Sequence, residues 1–528
     1  MQIEKINRKE TGLFKDFQNK LVYEQETLGD LIRSPFNETT ILEQLNLKRD
    51  QFPQHHRSVL AKVLMDQYKN NASELTTKNI EALESQNSFT ITTGHQLSLM
   101  TGPLYFVIKI LQVIKACDEL NTRYPDFNFI PVYWMATEDH DFEEINSLKL
   151  FNREIKWETS QTGGVGRFDL NEFDAYKAQI KELFSNHPEG EIHTLLEKYD
   201  GADLAAATRS LVDEMFADKG LVILDADDRR LKKLFAPIMK KELEASFAFQ
   251  MVERANKKLN TLGFPSQVHA REVNLFYLDY KRRKRLIKKE DGIEINGEET
   301  LSMGEVISIL ENEPEKLSPN VILRPVYQEC ILPNLAYIGG LGEISYWTQL
   351  KGVFDKANIL YPLIQVRNSL LWIDKISQKK MGKVHLNLSD IFSSVDELKR
   401  YYLERNESVD IDLEQLDVNA SKLFDEIVSA AESTDMNMEK YAKAEITRIQ
   451  KIVENIKSKV IKVEKSKNEN AMKIIEDVKE RLFPGGGFQE RKINLFSFST
   501  DGNYKENLAK VYDAINPFDN DLIVLIDN

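Results

Sequence analysis

Residues 88–135, SFTITTGHQLSLMTGPLYFVIKILQVIKACDELNTRYPDFNFIPVYWM, decide how the chain is read. Ser88 to Thr92 is a short run of β-branched and aromatic residues and predicts a strand. Thr93-Gly94-His95-Gln96 predicts a turn. Leu104, Val107, Ile108, Leu111 and Val113 then recur mostly at spacings of three and four, which predicts a helix to about Leu120. Phe129 to Met135 is a second apolar strand, although Pro131 is awkward inside a sheet. Strand, helix and strand within about 48 residues make a βαβ unit, whose two strands must run parallel because the helix carries the chain back to its starting end.

The alternation continues outward. Leu204 to Ala217 predicts a helix, Gly220 to Asp225 a strand, and Ala270 to Tyr280 an extended segment. Lys281 to Glu299 predicts hairpins turning at Asp291-Gly292 and Asn296-Gly297. Gly342 to about Phe354 predicts a helix and Tyr361 to Val366 a strand. Strands alternating with helices imply a doubly wound α/β core. Beyond residue 376 the character changes, and no glycine occurs between Gly382 and Gly485. Ala442, Ile446, Ile449, Val453, Ile456, Val460 and Val463 form a heptad seam, which skips phase and resumes at Ala471, Ile475, Val478 and Leu482. With a helix from Leu413 to Val428 and a tip at Ser433-Thr434-Asp435, this predicts an antiparallel coiled-coil arm. The terminal strand Asp521 to Ile526 predicts that the chain returns to the core. The expected divisions are a helical part at 1–85, a core at 86–375 with insertions near 151–215 and 270–317, the arm at 376–483 and the return at 484–528.

The 528 residues suggest about three to four structural units. The charge, 70 − 84 = −14, argues against a general nucleic-acid binder. Two cysteines, Cys117 and Cys330, build neither a disulfide scaffold nor a four-cysteine zinc site, so no zinc is expected. No stretch approaches the ~18 apolar residues of a membrane helix, and a cytoplasmic protein is expected.

Parallel sheets bind ligands beyond the carboxyl ends of their strands, and candidate residues are sought there. The first group is Thr93, Gly94, His95 and Gln96 with Thr101, Gly102 and Tyr105. Gly94 lets backbone approach a ligand, Thr101 is placed to cap the following helix, and His95 to donate to a phosphoryl or acyl oxygen. The second is Glu138, Asp139, His140 and Asp141, ionisable groups suited to Mg²⁺, to orienting an amine, or to general-base work. The third, within SPNVILRPVYQECILPNLAYIGGLGE (318–343), comprises Arg324, Gln328, Asn334, Tyr337, Gly339, Gly340 and Glu343, with Arg324 suited to a carboxylate or phosphate. The fourth is Gly485, Gly486, Gly487, Gln489 and Arg491, where successive glycine N–H groups would form an anion nest for a nucleotide. The basic run Lys281 to Arg285 reads as a solvated hairpin. Gly163-Gly164-Val165-Gly166 lacks the last glycine of a dinucleotide fingerprint.

TTGHQLSLMTGPLY, PVYWMATEDHDFEEIN, the 318–343 stretch with the following Ile344 to Trp347, and RLFPGGGFQER occur in that order. Together they closely resemble the bacillithiol synthase family, over essentially the whole chain. The resemblance implies a cysteine ligase catalysing the last step of bacillithiol synthesis, joining L-cysteine to the amino group of glucosaminyl malate. It also implies a Rossmann-like core with connecting-peptide insertions, similar to class I aminoacyl-tRNA synthetases, and a homodimer built through the coiled coil. Thr93 to Gln96 stands where such synthetases carry HxGH, and no KMSKS loop is present. Carboxylate activation by ATP and Mg²⁺ is the expected route, with Arg324 holding the malate carboxylates and the 138–141 cluster carrying Mg²⁺ or taking the amine proton. Two other classes fit the residues: a metal-dependent hydrolase built on Glu138 to Asp141, and a non-catalytic scaffold recruiting other enzymes through the arm.

Overall fold

The computed structural model describes residues 1–528 apart from 33–35, 70, 152, 406–412, 435, 468 and 528. In it residues 88–135 form β1 (Ser88–His95), helix α1 (Tyr105–Arg123) and β2 (Asn128–Met135). The two strands pair in parallel along their full length, from Ser88 opposite Asn128 to His95 opposite Met135. Pro131 is tolerated for a geometric reason. The N–H groups of Asn128 and Ala136 point to the β1 side, so the alternation of the ladder turns residue 131 to the other side. There, pairing with β3 (Val222–Asp225) begins only at Val132.

With β4 (Asn334–Gly339) and β5 (Leu363–Val366) the sheet order is β5-β4-β1-β2-β3, all parallel. The chain steps outward from β1 to β3, then returns to the far side of β1. The boundary between β1 and β4 is therefore the topological switch point, where the loops leaving the two strands diverge and open a crevice. Every residue of β1 and β4 is buried, as a parallel sheet covered on both faces requires. Val113, Cys117 and Leu120 of α1 pack with Phe89, Ile91, Phe129 and Ile338.

The region expected to hold hairpins is a separate antiparallel sheet in the order Thr300–Leu301, Ile293–Ile295, Arg283–Lys288, Leu275–Leu278, Leu317–Pro319. The first 85 residues are mostly helical, but begin with a strand, Gln2–Ile6. The terminal strand Leu522–Ile526 lies between it and Ser369–Ile373.

The chain divides into two units, 1–372 with 489–525, and 373–488 with 526–528. The second contains the arm. Helices Leu413–Glu432 and Met436–Lys467 pack together, and an ion pair from Asp417 to Lys457 shows that they run antiparallel. Asp435, expected at the tip, lies outside the described residues. The expected seam divides in two. Ala442 and Ile446 are buried with Phe424. Ile449, Ile456 and Val463 are instead exposed and join Ile452 in a second stripe at heptad spacing, each at least 42% accessible. The continuation of the seam, Ile475, Val478 and Leu482 of helix Glu469–Leu482, is buried against Lys375–Lys383 and Val395–Arg405.

Candidate active site at the switch point

A cavity of about 710 Å³ opens at the carboxyl ends of β1, β2 and β4. That is the size of a small-molecule site. Its floor is the switch point. The turn expected at Thr93 to Gln96 is strand as far as His95, and Gly94 lies so close to its neighbours that a Cβ there would lie 3.2 Å from Tyr337 Oη and 3.6 Å from Arg324 Nη1. Beneath it the buried Lys109 of α1 donates to Gly94 O at 2.9 Å and pairs with Glu343 at 2.6 Å. Glu343 also accepts from Gly340 N at 2.7 Å and Tyr337 Oη at 3.3 Å. Burial opposes its ionisation, but Lys109 and these donors outweigh that and hold its pKa below the ordinary value.

Arg324 opens the helix Arg324–Ile331 and lines the cavity between the Trp134 and Tyr337 rings, 5.8 Å from each centroid. A relay holds it from behind. Arg324 Nη1 donates to Gln328 Oε1 at 3.1 Å, Gln328 Nε2 to Glu329 Oε1 at 3.1 Å, and Lys48 pairs with Glu329 at 3.1 Å. Asn334 donates to Glu329 at 2.7 Å and accepts from Thr90 and Thr92. Gln328 and Asn334 thus do not line the cavity. They brace the arginine that does.

The four residues after β2 do not converge. Glu138 lines the cavity and pairs with the fully buried Lys232 of Arg229–Ala245, which also reaches Asp227 at 3.3 Å. Burial, with Asp227 nearby, raises the Glu138 pKa against the opposing pull of Lys232. Asp139 also lines the cavity, but accepts from Gln96 Nε2 at 2.9 Å and from its own loop's His140 N at 2.7 Å. Burial works against its ionisation, yet these donors keep it well below the carboxylate range. His140 Nδ1 faces Arg283 Nη1 at 3.0 Å, which makes that nitrogen an acceptor. Asp141 is exposed at the start of a short 3₁₀ turn, outside the lining.

The acidic loop owes its shape to the 163–166 glycines. Val165 N donates to Asp139 O at 2.7 Å and Gly166 N to Thr137 O at 2.8 Å. A Cβ on Gly166 would lie 2.6 Å from Thr137 Cβ, which explains the glycine. Thr137 Oγ1 in turn donates to Asp225 Oδ1 at 2.5 Å. Burial and the neighbouring Asp227 push the Asp225 carboxyl up to about 6. Its folded-state pKa lies above the ordinary ~4, so the folded protein holds this proton more tightly, and stability is lost as pH rises from about 4 to 6. Asp225→Asn keeps an oxygen for Thr137. It is expected to raise stability at pH 7.5 by up to about 3 kcal/mol and to change it little at pH 4. Thermal melts at the two pH values check this, and equal shifts at both would contradict it.

Several expected roles are corrected. His95 lines the cavity, but its Nδ1 lies 2.8 Å from Gln96 O, which places the ring proton on Nδ1. Burial, with Lys109 beside it, pushes its pKa down to about 3. Nε2 is then a bare acceptor, so His95 does not donate to a phosphoryl or acyl oxygen. Thr101 does not cap α1, because that helix starts at Tyr105, and Thr101 lies in a 3₁₀ turn with φ +65°. Gly102 is required there, since a Cβ would lie 2.6 Å from Ser98 Cβ. Tyr105 packs on the His95 ring at 5.0 Å. Thr93 spends its hydroxyl on Ile338 O at 2.8 Å, and Gly339 O accepts from Arg367 N at 2.7 Å. The Gly485 N–H is taken by the chain's own Glu480 carboxylate at 3.1 Å. Gly486 N and Gly487 N donate to Phe483 O and Pro484 O, so the three N–H groups face no open anion site. Gln489 is buried and pairs through its side chain with both backbone groups of Trp372, at 2.8 and 2.9 Å, as a strand would. Arg491 is exposed.

The basic hairpin is the largest departure. Arg283–Lys288 is a wall of the cavity rather than a solvated ribbon. Lys109 and Lys232 were also missed. Lys109 is a lone basic residue in an apolar helical stripe and Lys232 is one of several cations on its helix, and only the fold shows what each meets.

Residues 1–368 match the N-terminal Rossmann-like domain of bacillithiol biosynthesis BshC, and residues 370–526 match its C-terminal coiled-coil domain. The chain belongs to the BshC family. BshC relatives are similar along nearly its whole length. One from Flavobacterium johnsoniae is 39% identical over 494 residues, 91% of this chain and 92% of that one. One from Cytophaga hutchinsonii is 35% identical over 518 residues, covering 98% and 97%. Both carry the name "Putative cysteine ligase BshC". The two BshC domains meet in sequence at residues 368–370, close to the division into units at 372. No helix among the described residues is long and apolar enough to cross a membrane.

Proposed function

We propose that this BshC chain joins L-cysteine to the amino group of glucosaminyl malate. The observation that supports it most is the pairing, across one cavity at the switch point, of a carboxyl of raised pKa with a braced guanidinium. Amide formation needs an amine without its proton and an acyl carbon with a leaving group. In this reading Glu138 takes the proton as the amine nitrogen attacks, forming the C–N bond while the bond to the leaving group breaks. Lys232 holds Glu138 in place. Arg324 suits the charge that develops on the acyl or phosphoryl oxygen. His95 Nε2, neutral and unprotonated, suits a substrate N–H, O–H or S–H donor.

A free carboxylate is not attacked by an amine, so activation by ATP with Mg²⁺ is part of the proposal. Arg324, whose Nη1 lies beside the side-chain-free Gly94, favours a phosphate there. The test is a mass-resolved assay of the pure protein with cysteine, glucosaminyl malate, Mg²⁺ and ATP. Bacillithiol with AMP indicates an acyl-adenylate, and with ADP an acyl-phosphate. Absence of product with both substrates bound refutes the ligase reading.

We also propose a homodimer through the arm. The stripe of Ile449, Ile452, Ile456 and Val463 is exposed among the described residues and has the repeat of a coiled-coil seam. Ile452→Glu with Ile456→Glu is expected to turn a dimer into a monomer in sedimentation equilibrium without loss of helical circular dichroism. An unchanged mass would exclude this face as the contact.

A further inference from the structure

The cations that line the cavity are unevenly shared between its walls. The insertion sheet and the irregular segment leading into it supply Arg271, Arg283, Arg285 and Lys288, against one acid, Glu272. On the central-sheet side Glu138 is matched by Lys232 and Glu343 by Lys109, while Arg324 and Asp139 also line the cavity. In a chain of net charge −14, four cations gathered on one wall are not a reflection of composition.

The wall is built, not incidental. Phe276 stands opposite Arg285 in the ladder, so the two share a face of the sheet. Arg283, two residues from Arg285, shares that face and lies 4.1 Å over the Phe276 ring. It is fixed by Ser318 Oγ at 3.2 Å, Pro319 O at 3.1 Å and His140 Nδ1 at 3.0 Å. The hairpins do supply acids elsewhere: Arg282 pairs with Asp279 and Glu298, and Lys289 with Glu294. Arg271, Arg285 and Lys288 make no side-chain hydrogen bond or ion pair among the described residues, yet all three line the cavity. Unmatched like charges held around one space repel each other. An anion with more than one charge placed among them relieves that repulsion and gains charge-assisted hydrogen bonds.

We propose that this wall is the subsite for a dicarboxylate, and that it holds the malyl end of the amine substrate. The assignment to malate rests on the ligase reading above. It moves the carboxylate-holding role from Arg324, where the sequence suggests it, to Arg285, Lys288 and Arg271, with Arg283 as the fixed floor of the subsite. Arg324 is then left for the acyl or phosphoryl oxygen. It also gives the insertion sheet a purpose that the basic hairpin alone does not disclose: it selects the acceptor by its charged end rather than by its sugar.

The test uses the full chain and L-malate alone, by isothermal titration calorimetry at low salt. Arg285 and Lys288 are exposed, so the double variant Arg285→Gln, Lys288→Gln is expected to fold with an unchanged Tm. Its malate affinity is expected to fall by about 10-fold or more, as for the loss of charge-assisted bonds. Wild-type affinity is expected to weaken as salt is raised. In ligation assays the KM for glucosaminyl malate should rise with it, while the KM for cysteine stays fixed. Failure of the wild type to bind malate, or equal binding by the double variant, overturns the subsite. So does loss of malate binding on Arg324→Gln alone, which would return the role to Arg324. If malate binding is lost in the double variant but the wild type ligates nothing, the subsite stands and the ligase reading falls.

Discussion

Glu138→Gln is expected to lower kcat for cysteine ligation by about 10²- to 10⁴-fold, the range over which a general base contributes. The fold should survive. The amide that replaces the carboxylate still offers an oxygen to Lys232, and Lys232 keeps Asp227 at 3.3 Å and the Glu315 carbonyl. The loss should fall on kcat with little change in the KM for cysteine, because the proton moves only in the reacting complex. The wild-type rate is also expected to fall on acidification, as Glu138 gains its proton at a higher pH than an ordinary carboxylate. Asp141→Asn is the contrast: that carboxylate is exposed and outside the cavity, and its loss should change the rate little. Measuring kcat and KM against pH for the three proteins checks the assignment. A Glu138→Gln enzyme with undiminished kcat would remove Glu138 from the chemistry.

The largest effect on stability is expected at Glu490→Gln. Arg367 Nη2 meets Glu490 at 2.5 Å, and both side chains are under 5% accessible. The other Glu490 oxygen accepts from Leu370 N at 2.7 Å. Arg8 is also fully buried and donates to Arg367 O at 3.0 Å. Burial pulls its pKa down to about 10, opposed by Glu490. One carboxylate therefore serves two buried guanidinium groups. Removing it leaves them facing each other without their main counter-charge, a change that costs about 3–5 kcal/mol when a buried pair is broken. Urea melts followed by tryptophan fluorescence would measure it. A loss below about 1 kcal/mol would mean that water reaches these arginines. Arg367 N also holds Gly339 O at the end of β4, so some loss of ligation should accompany the loss of stability.

This pair shows how far a motif can be read without its fold. RLFPGGGFQER is recognisable because it mixes glycines with charged residues, and that mixture suggests an anion site. In the folded chain Gly485 serves its own Glu480, Gln489 acts as a substitute strand for Trp372, and Glu490 neutralises buried arginines. The same residue types answer a structural need, because a buried charge and an open binding site ask for the same chemistry. The cluster at 138–141 shows the opposite case. Its position after an apolar strand was enough to place it at the cavity, but not to rank its members. Glu138 differs from Asp141 through its burial in the cavity wall and through Lys232, 94 residues away in sequence.

Local sequence determined the elements and their order. The βαβ unit at 88–135, the later strands and the heptad repeat of the arm depend on hydrophobic periodicity, which acts between neighbours three, four or two residues apart. The parallel pairing of β1 with β2 followed from chain connectivity alone. Only the tertiary structure decided which charges meet. Lys109 with Glu343, Lys48 with Glu329, and the basic hairpin over the switch point join segments more than a hundred residues apart. Coulomb and hydrogen-bond energies depend on separation in space and on exclusion of water. Neither is written in the spacing of residues along a chain, so the same Lys281 to Arg285 run reads as a solvated turn until the fold sets part of it against a cavity.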